Sequence, residues 1–174
     1  MAMDETKERC NRLTSIGCFS LAAATLALAI TVAWQSATLY RLDLAFKRVE
    51  TELTFWGNAD YQPTEATRVR TGRELDALLA QAPTHPDYLA LAAYHEAWLA
   101  YREDDPALAQ PHALRAVNAQ FSAQQSRPAY RQGWAKMVGY SRRAAADETA
   151  RELGLFARQR LDALGAARGS DQDS

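Results

Sequence analysis

Cysteine is nearly absent: only Cys10 and Cys18 occur in 174 residues. No intramolecular disulfide can therefore staple any part of the chain beyond residue 18. Lysine is confined to Lys7, Lys47 and Lys136, so arginine carries most of the positive charge. Residues 1–14 hold three acids and three bases; taken from totals of 21 and 20, they leave 18 and 17 for the rest. A chain so nearly neutral has no broad electrostatic reason to hold nucleic acid or another polyanionic surface. β-Branched and aromatic residues never gather into alternating runs, and alanine dominates. That pattern excludes a sheet and predicts an all-α fold.

Chemical motifs are equally scarce. Gly133, Gly139 and Gly154 are scattered through helical sequence and form no phosphate-binding loop. His85, His95 and His112 never pair at i+3 or i+4, and His95-Glu96 lacks the second histidine of a zinc-protease motif. His95 lies on an inner helical stripe and is read as a satisfied buried histidine. Ser122 and Ser141 have no nucleophile-elbow context. Glu96 and Glu103 are read as a solvated face, and Asp104-Asp105 as a capping turn. The expectation is a non-enzymatic protein with no cofactor and no metal.

What the chain has is one long apolar run, IGCFSLAAATLALAITVAW, from Ile16 to Trp34. At ~1.5 Å per residue it makes a helix of about 28 Å, close to the ~30 Å hydrocarbon core of a bilayer. Lys7, Arg9 and Arg12 precede it, so a secretory signal is the rival reading. Ala27-Leu28-Ala29 fits a cleavage site but lies inside the run, and Gln35-Ser36-Ala37 puts Gln where a small residue is wanted. We read an uncleaved transmembrane anchor over 15–36 after a cytoplasmic tail over 1–14. Basic residues balance at three on each flank, Arg41, Lys47 and Arg48 lying beyond the run. The short tail, with Arg12 close to the apolar start, places the N-terminus in the cytoplasm. Trp34 and Tyr40 become far-side interfacial anchors. The expected location is a bacterial inner membrane, single-pass, with the C-terminal domain in the periplasm.

Leu39, Leu42, Phe46, Val49, Leu53 and Trp56 follow at spacings of 3, 4, 3, 4 and 3. This heptad seam predicts a stalk helix over 37–57, packed on the chain's own domain or paired with a partner or second copy through Leu39, Leu42, Phe46, Val49 and Leu53. NADYQP (58–63) breaks it. A helical domain over 58–165 follows. Its second helix runs over 64–81, with Val69, Leu75, Leu78, Leu79 and Ala82 inside. A third starts at Pro86 with Tyr88, Leu91, His95 and Trp98 inward, and ends before Asp104. A fourth starts near Pro111 or His112, because proline is excluded from a helix interior, and buries Leu114, Val117 and Phe121 up to Gln125. Pro128 opens a fifth around Tyr130, Trp134, Met137 and Val138. Asp147 caps a sixth carrying Leu153, Phe156, Leu161 and Leu164. Residues 166–174 are predicted disordered.

Pro86-x-Tyr88 and Pro128-x-Tyr130 lie 42 residues apart, each before a helix followed by another. This echo suggests TPR-like antiparallel helical hairpins. The anchor, the stalk, THPDYLALAAYHEAWLAYRE, SRPAYRQGWAKMVGY and ARELGLF together resemble the VpsP-like polysaccharide-biosynthesis proteins, over about Ala45 to Phe156. The pattern departs after Leu155, where Phe156-Ala157-Arg158 stands in place of a Gly-Pro-Trp type continuation. The resemblance implies a small membrane-anchored accessory protein linked to exopolysaccharide production, and it carries over no catalytic residue.

The aromatic set Tyr88, Tyr94, Trp98, Tyr101, Tyr130, Trp134 and Tyr140 is mostly explained by packing, with part left to line a groove. Tyr94, Trp98, Arg102, Arg127, Arg131 and Trp134 are the candidate partner-binding residues, suited to an acidic peptide tail or an anionic glycan. The leading expectation is a scaffold binding other membrane or periplasmic proteins of a polysaccharide synthesis or export system. The alternative is an accessory subunit of a membrane transport or assembly complex, acting through helix pairing at the anchor and stalk. Gly17, Ser20 and Ala24 would permit the close approach this needs.

Overall fold

A computed structural model describes the backbone of residues 2–172 and the side chains of residues 23–166. Six helices occur among the described residues, and no strand: α1 (Ala2–Trp56), α2 (Glu65–Gln81), α3 (Pro86–Arg102), α4 (Pro106–Gln125), α5 (Arg131–Arg143) and α6 (Glu148–Gln172). The chain divides into two units, Met1–Leu44 and Ala45–Ser174.

In the first unit, α1 is helical from tail to stalk with no break. It holds the one helix among the described residues long and apolar enough to cross a membrane. Leu26, Leu28, Ile30, Val32 and Trp34 are 53–75% exposed. The N-terminal part of the anchor, with Cys18, Gly17 and Ser20, lies outside the described side chains.

In the second unit, the last turns of α1 lie against the helices that follow. Val49, Leu53 and Trp56 are each 1% exposed. Trp56 stacks obliquely on Trp98 (4.6 Å) and His95 (5.5 Å), and Phe46 meets Tyr88 at 5.6 Å. Of the two readings of the seam, Val49 and Leu53 thus follow packing on the chain's own domain, while Leu39 stays 67% exposed. The Glu52 carboxylate takes the Trp56 indole N–H (3.0 Å) and the Tyr61 hydroxyl (2.7 Å), holding the break after Trp56 in place.

Capping explains where the helices start. The Thr64 hydroxyl accepts from the Thr67 N–H, Asp105 from Ala107 (2.8 Å), and Asp147 from Ala150 (2.9 Å). Pro86 takes the first position of α3. The fourth helix corrects the sequence reading, since it begins at Pro106 and runs through Pro111. Only the bond from position 111 to the Ala107 carbonyl is lost. Ala107 and Pro111 are both exposed, so the freed carbonyl belongs to the solvent side of the helix, where the loss costs little. The fifth helix begins at Arg131, three residues after Pro128. The Trp134 indole N–H holds the Pro128 carbonyl (2.9 Å) and the Gln124 amide holds that of Tyr130 (2.9 Å), fixing both in the preceding turn. Pro128 is thus not the counterpart of Pro86. At the other end α6 continues to Gln172, where a disordered tail was expected. Intrahelical bonds need no tertiary partner, and Ala166-Ala167 favour them. Residues 173 and 174 lie outside the described residues.

Side-chain pairs fix the order of the helices. Arg127, just past the end of α4, binds Asp87 at the start of α3, and Arg115 binds Glu96, so α3 and α4 are antiparallel. Gly154 lies by Ser141 and Gly165 by Arg131, so α5 and α6 are antiparallel too. Arg143 closes the end of α3, donating to the carbonyls of Ala100 (3.1 Å) and Glu103 (3.1 Å).

Alanine forms most of the core. Ala93, Ala97, Ala100, Ala113, Ala116, Ala144 and Ala150 are buried with Val117 and Tyr140. Trp134, Met137 and Ala157 form a second cluster, flanked by Phe121 and Phe156. Tyr88, Leu91 and Trp98, predicted to point inward, are half-buried, and Val69 is 42% exposed. With methyl groups at the seam, α3 and α4 approach too closely for large side chains, which move to the flanks.

His95 carries a testable pH dependence. Burial between Trp56 and Gly72 pushes its pKa below the ordinary 6.5, Glu96 and Asp76 opposing and His112 and Arg115 adding to the shift. Below pH 6.5 the unfolded chain binds the proton that the folded one refuses, so stability falls as pH falls through the folded value. His95→Gln is expected to flatten the fall in melting temperature between pH 7.5 and 5.5. An identical fall in the variant would assign it to other groups.

Candidate functional site

A concavity lined by both charged and aromatic side chains lies within the second unit and has a volume of about 400 Å³. The end of α1 supplies Phe46, Glu50 and Leu53. Asp87, Leu91 and Tyr94 come from one face of α3, and Gln120 from α4. The turn before α5 adds Arg127 and Tyr130, and α5 adds Lys136.

Arg127 and Asp87 form a two-pronged pair, with nitrogen-to-oxygen distances of 2.5 and 2.7 Å. The planar guanidinium matches both carboxylate oxygens, so each group is held in one orientation. Hydrogen bonding to Arg127 holds the Asp87 carboxyl below its usual range despite burial, and the same pair raises the pKa of Arg127. Glu50 accepts from Lys47 at 2.8 Å. Burial raises the pKa of the Tyr94 phenol, which stays protonated and able to donate. Gln120 is 2% exposed, yet its Oε1 has no hydrogen-bond partner. An orphaned buried acceptor costs about 1–3 kcal/mol.

Two of the six candidate residues, Tyr94 and Arg127, meet in this groove. The others do not. Trp98 donates its indole N–H to the Trp56 carbonyl (3.0 Å), and Arg102 lies over the Trp98 ring at 5.4 Å. Arg131 is exposed near Gly165 of α6. Trp134 is 3% exposed in the second core cluster and unavailable to a partner. A charge reversal at Arg127 also breaks the Asp87 pair, so partner loss in such a variant would not isolate binding.

Glu50, Asp87, Gln120 and Lys136 were missed. Lys136 had a signal, standing among few lysines in an arginine-rich chain. Gln120 and Gln124 share phase with the buried Ala113, Ala116 and Val117, which marks them as inward polar residues. Asp87 reads from sequence only as a first-turn acid, and its pairing with Arg127 depends on the α3–α4 hairpin. A second groove, about 440 Å³, is lined by Asp76, His95, Glu96 and Arg115. Among the described residues, no group of three or more His, Cys, Asp or Glu side chains could hold a metal ion. No protein-family model, curated protein or solved structure matches the chain.

Proposed function

We propose that this chain is a membrane-anchored, non-enzymatic accessory protein of bacterial exopolysaccharide biosynthesis or export, whose TPR-like helical domain binds other components of that system. The observation that carries it is the exposure of Leu26, Leu28, Ile30, Val32 and Trp34 on one helix. Each such side chain gains about 1.5–3 kcal/mol when taken out of water, and a bilayer is the medium that takes them all. The exopolysaccharide part rests on the VpsP-like segments between Ala45 and Phe156. Consecutive antiparallel helix pairs support the TPR-like reading. The anchor runs from a cytoplasmic N-terminus through the inner membrane, leaving the helical domain in the periplasm.

Deleting the gene in its native host is expected to reduce exopolysaccharide output, and the full chain supplied in trans should restore it. Unchanged output would contradict the proposal. The second reading, pairing through anchor and stalk, is favoured by Leu39, a seam residue that is 67% exposed. Replacing residues 15–36 with an unrelated apolar helix separates the two: a scaffold keeps working, and an anchor-paired subunit does not.

A further inference from the structure

The two grooves described above mix both signs of charge. A further concavity, about 260 Å³ between α5 and α6, does not. Arg142, Arg151 and Arg158 line it over a floor that includes Val138, Gly154 and Leu155, and no acid lines it. Elsewhere in the unit, Arg48, Arg115 and Arg127 bind carboxylates, Arg143 binds two carbonyls, and Arg102 and Arg160 lie on aromatic rings. The side chains of Arg142, Arg151 and Arg158 have no such partner among the described residues. Glu148 and Asp162 stand at helical spacing from Arg151 and Arg158, yet neither is paired with them. Arg151 also sits in the opening turns of α6, where the partial positive charge of a helix start disfavours a cation. Between Arg151 and Arg158, Leu155 is 61% exposed. Like charges gathered around an exposed leucine are unfavourable for the free fold, and an anion with an apolar side offsets both costs. The frame that carries them is fixed. Gly154 brings α6 so near α5 that a Cβ there would collide with the Ser141 side chain, whose hydroxyl donates to the Val138 carbonyl (3.0 Å).

We propose that the α5–α6 groove docks an acidic amphipathic helix of a partner protein. Arg151 and Arg158 lie seven residues apart, two turns or about 10 Å along α6. A partner helix with Asp or Glu at i and i+7 sets one carboxylate against each guanidinium, in the two-pronged mode that arginine favours. An apolar side chain at i+3 or i+4 then falls between them, over Leu155 and Val138. Arg142, across the groove on α5, takes a further acid from the same helix. The floor separates this ligand from other anions. Val138, Ala145 and Leu155 offer a sugar's hydroxyls no hydrogen bond, and the Ser141 proton is already given to Val138. An acyl chain would keep one side in water, since Arg142, Arg151, Leu155 and Arg158 are all exposed. The inference rests on the reading of the helical domain as a partner-binding module, and names the chemistry of what it binds.

The probe is a fluorescein-labelled designed helix of about 20 residues with Glu at i and i+7 and Leu at i+3 and i+4. Its control carries Gln in place of both Glu. Each is titrated by fluorescence anisotropy, at low salt, against the full chain held in a nanodisc of zwitterionic lipid. Expected is a dissociation constant between about 1 and 100 μM, weakened about tenfold or more for the control and by Arg151→Glu/Arg158→Glu. A peptide with Lys at i and i+7 should regain binding to that reversed variant. Arg142→Gln/Arg151→Gln/Arg158→Gln should lose the probe while melting at the same or a higher temperature, because it removes only repulsion. A probe that binds no better than its control overturns the proposal, as does binding indifferent to the charge reversal. Phosphatidylglycerol vesicles, or a second copy of the chain, held by these arginines where the probe is not would overturn it too. None of these results touches the accessory role, which the deletion strain's polymer output tests separately.

Discussion

Trp56→Ala is expected to destabilise the helical unit by about 3–5 kcal/mol. Trp56 is 1% exposed and joins α1 to α3 through the Trp98 and His95 rings. Its indole N–H and the Tyr61 hydroxyl share one oxygen of Glu52. Alanine would empty that volume and leave Glu52 one donor short. Against a total stability of about 5–15 kcal/mol, the loss should lower the melting temperature by about 10 °C or more. Thermal melts followed by circular dichroism in detergent would show it. Trp34→Ala, at a position 75% exposed in the first unit, should leave the same transition in place. Equal melts for the two variants would mean that the end of α1 does not belong to the core.

Two glycines on one helix should respond in opposite directions. Alanine is the better helix former by about 1 kcal/mol, so propensity alone predicts that Gly133→Ala and Gly139→Ala both stabilise α5. A Cβ at Gly133, however, would lie 2.0 Å from Gln124 Oε1 and 2.4 Å from its Cδ. Gln124 is 1% exposed and its amide holds the Tyr130 carbonyl, so it has nowhere to move without breaking the turn that starts α5. Overpacking plus an orphaned carbonyl should cost Gly133→Ala about 3 kcal/mol, again about 10 °C. Nothing lies within 4 Å of a Cβ at Gly139, and its variant should melt slightly higher. A stabilised Gly133→Ala would show that α4 and α5 are not so close.

Much of the helical architecture was written locally. Thr64, Pro86 and Asp147 mark helix starts by capping chemistry that needs no tertiary information, and NADYQP marks the break after α1. The large core residues Leu75, Leu78, Trp134 and Met137 followed from periodicity. The alanine seam did not, because alanine is at home on an exposed face as well as an inner one. Weighting stripes by size therefore moved Tyr88, Leu91 and Trp98 inward, when Ala93, Ala97 and Ala100 take those places. Pro111 misled because its cost depends on where the missing bond falls, and here it falls in water. Tyr94 and Arg127 were legible as groove residues by type. Gln120 shares the phase of the inner stripe of α4, so its burial was legible, but the lack of a partner for its Oε1 is a property of the packed unit.

The central claim, a permanent apolar tether, is tested most directly by alkaline carbonate extraction of membranes from the native host, with the intact mass of the chain measured in each fraction. The account predicts an untrimmed chain that stays with the pelleted membrane. A chain released to the supernatant and shortened near Ala29 or Ala37 would contradict it.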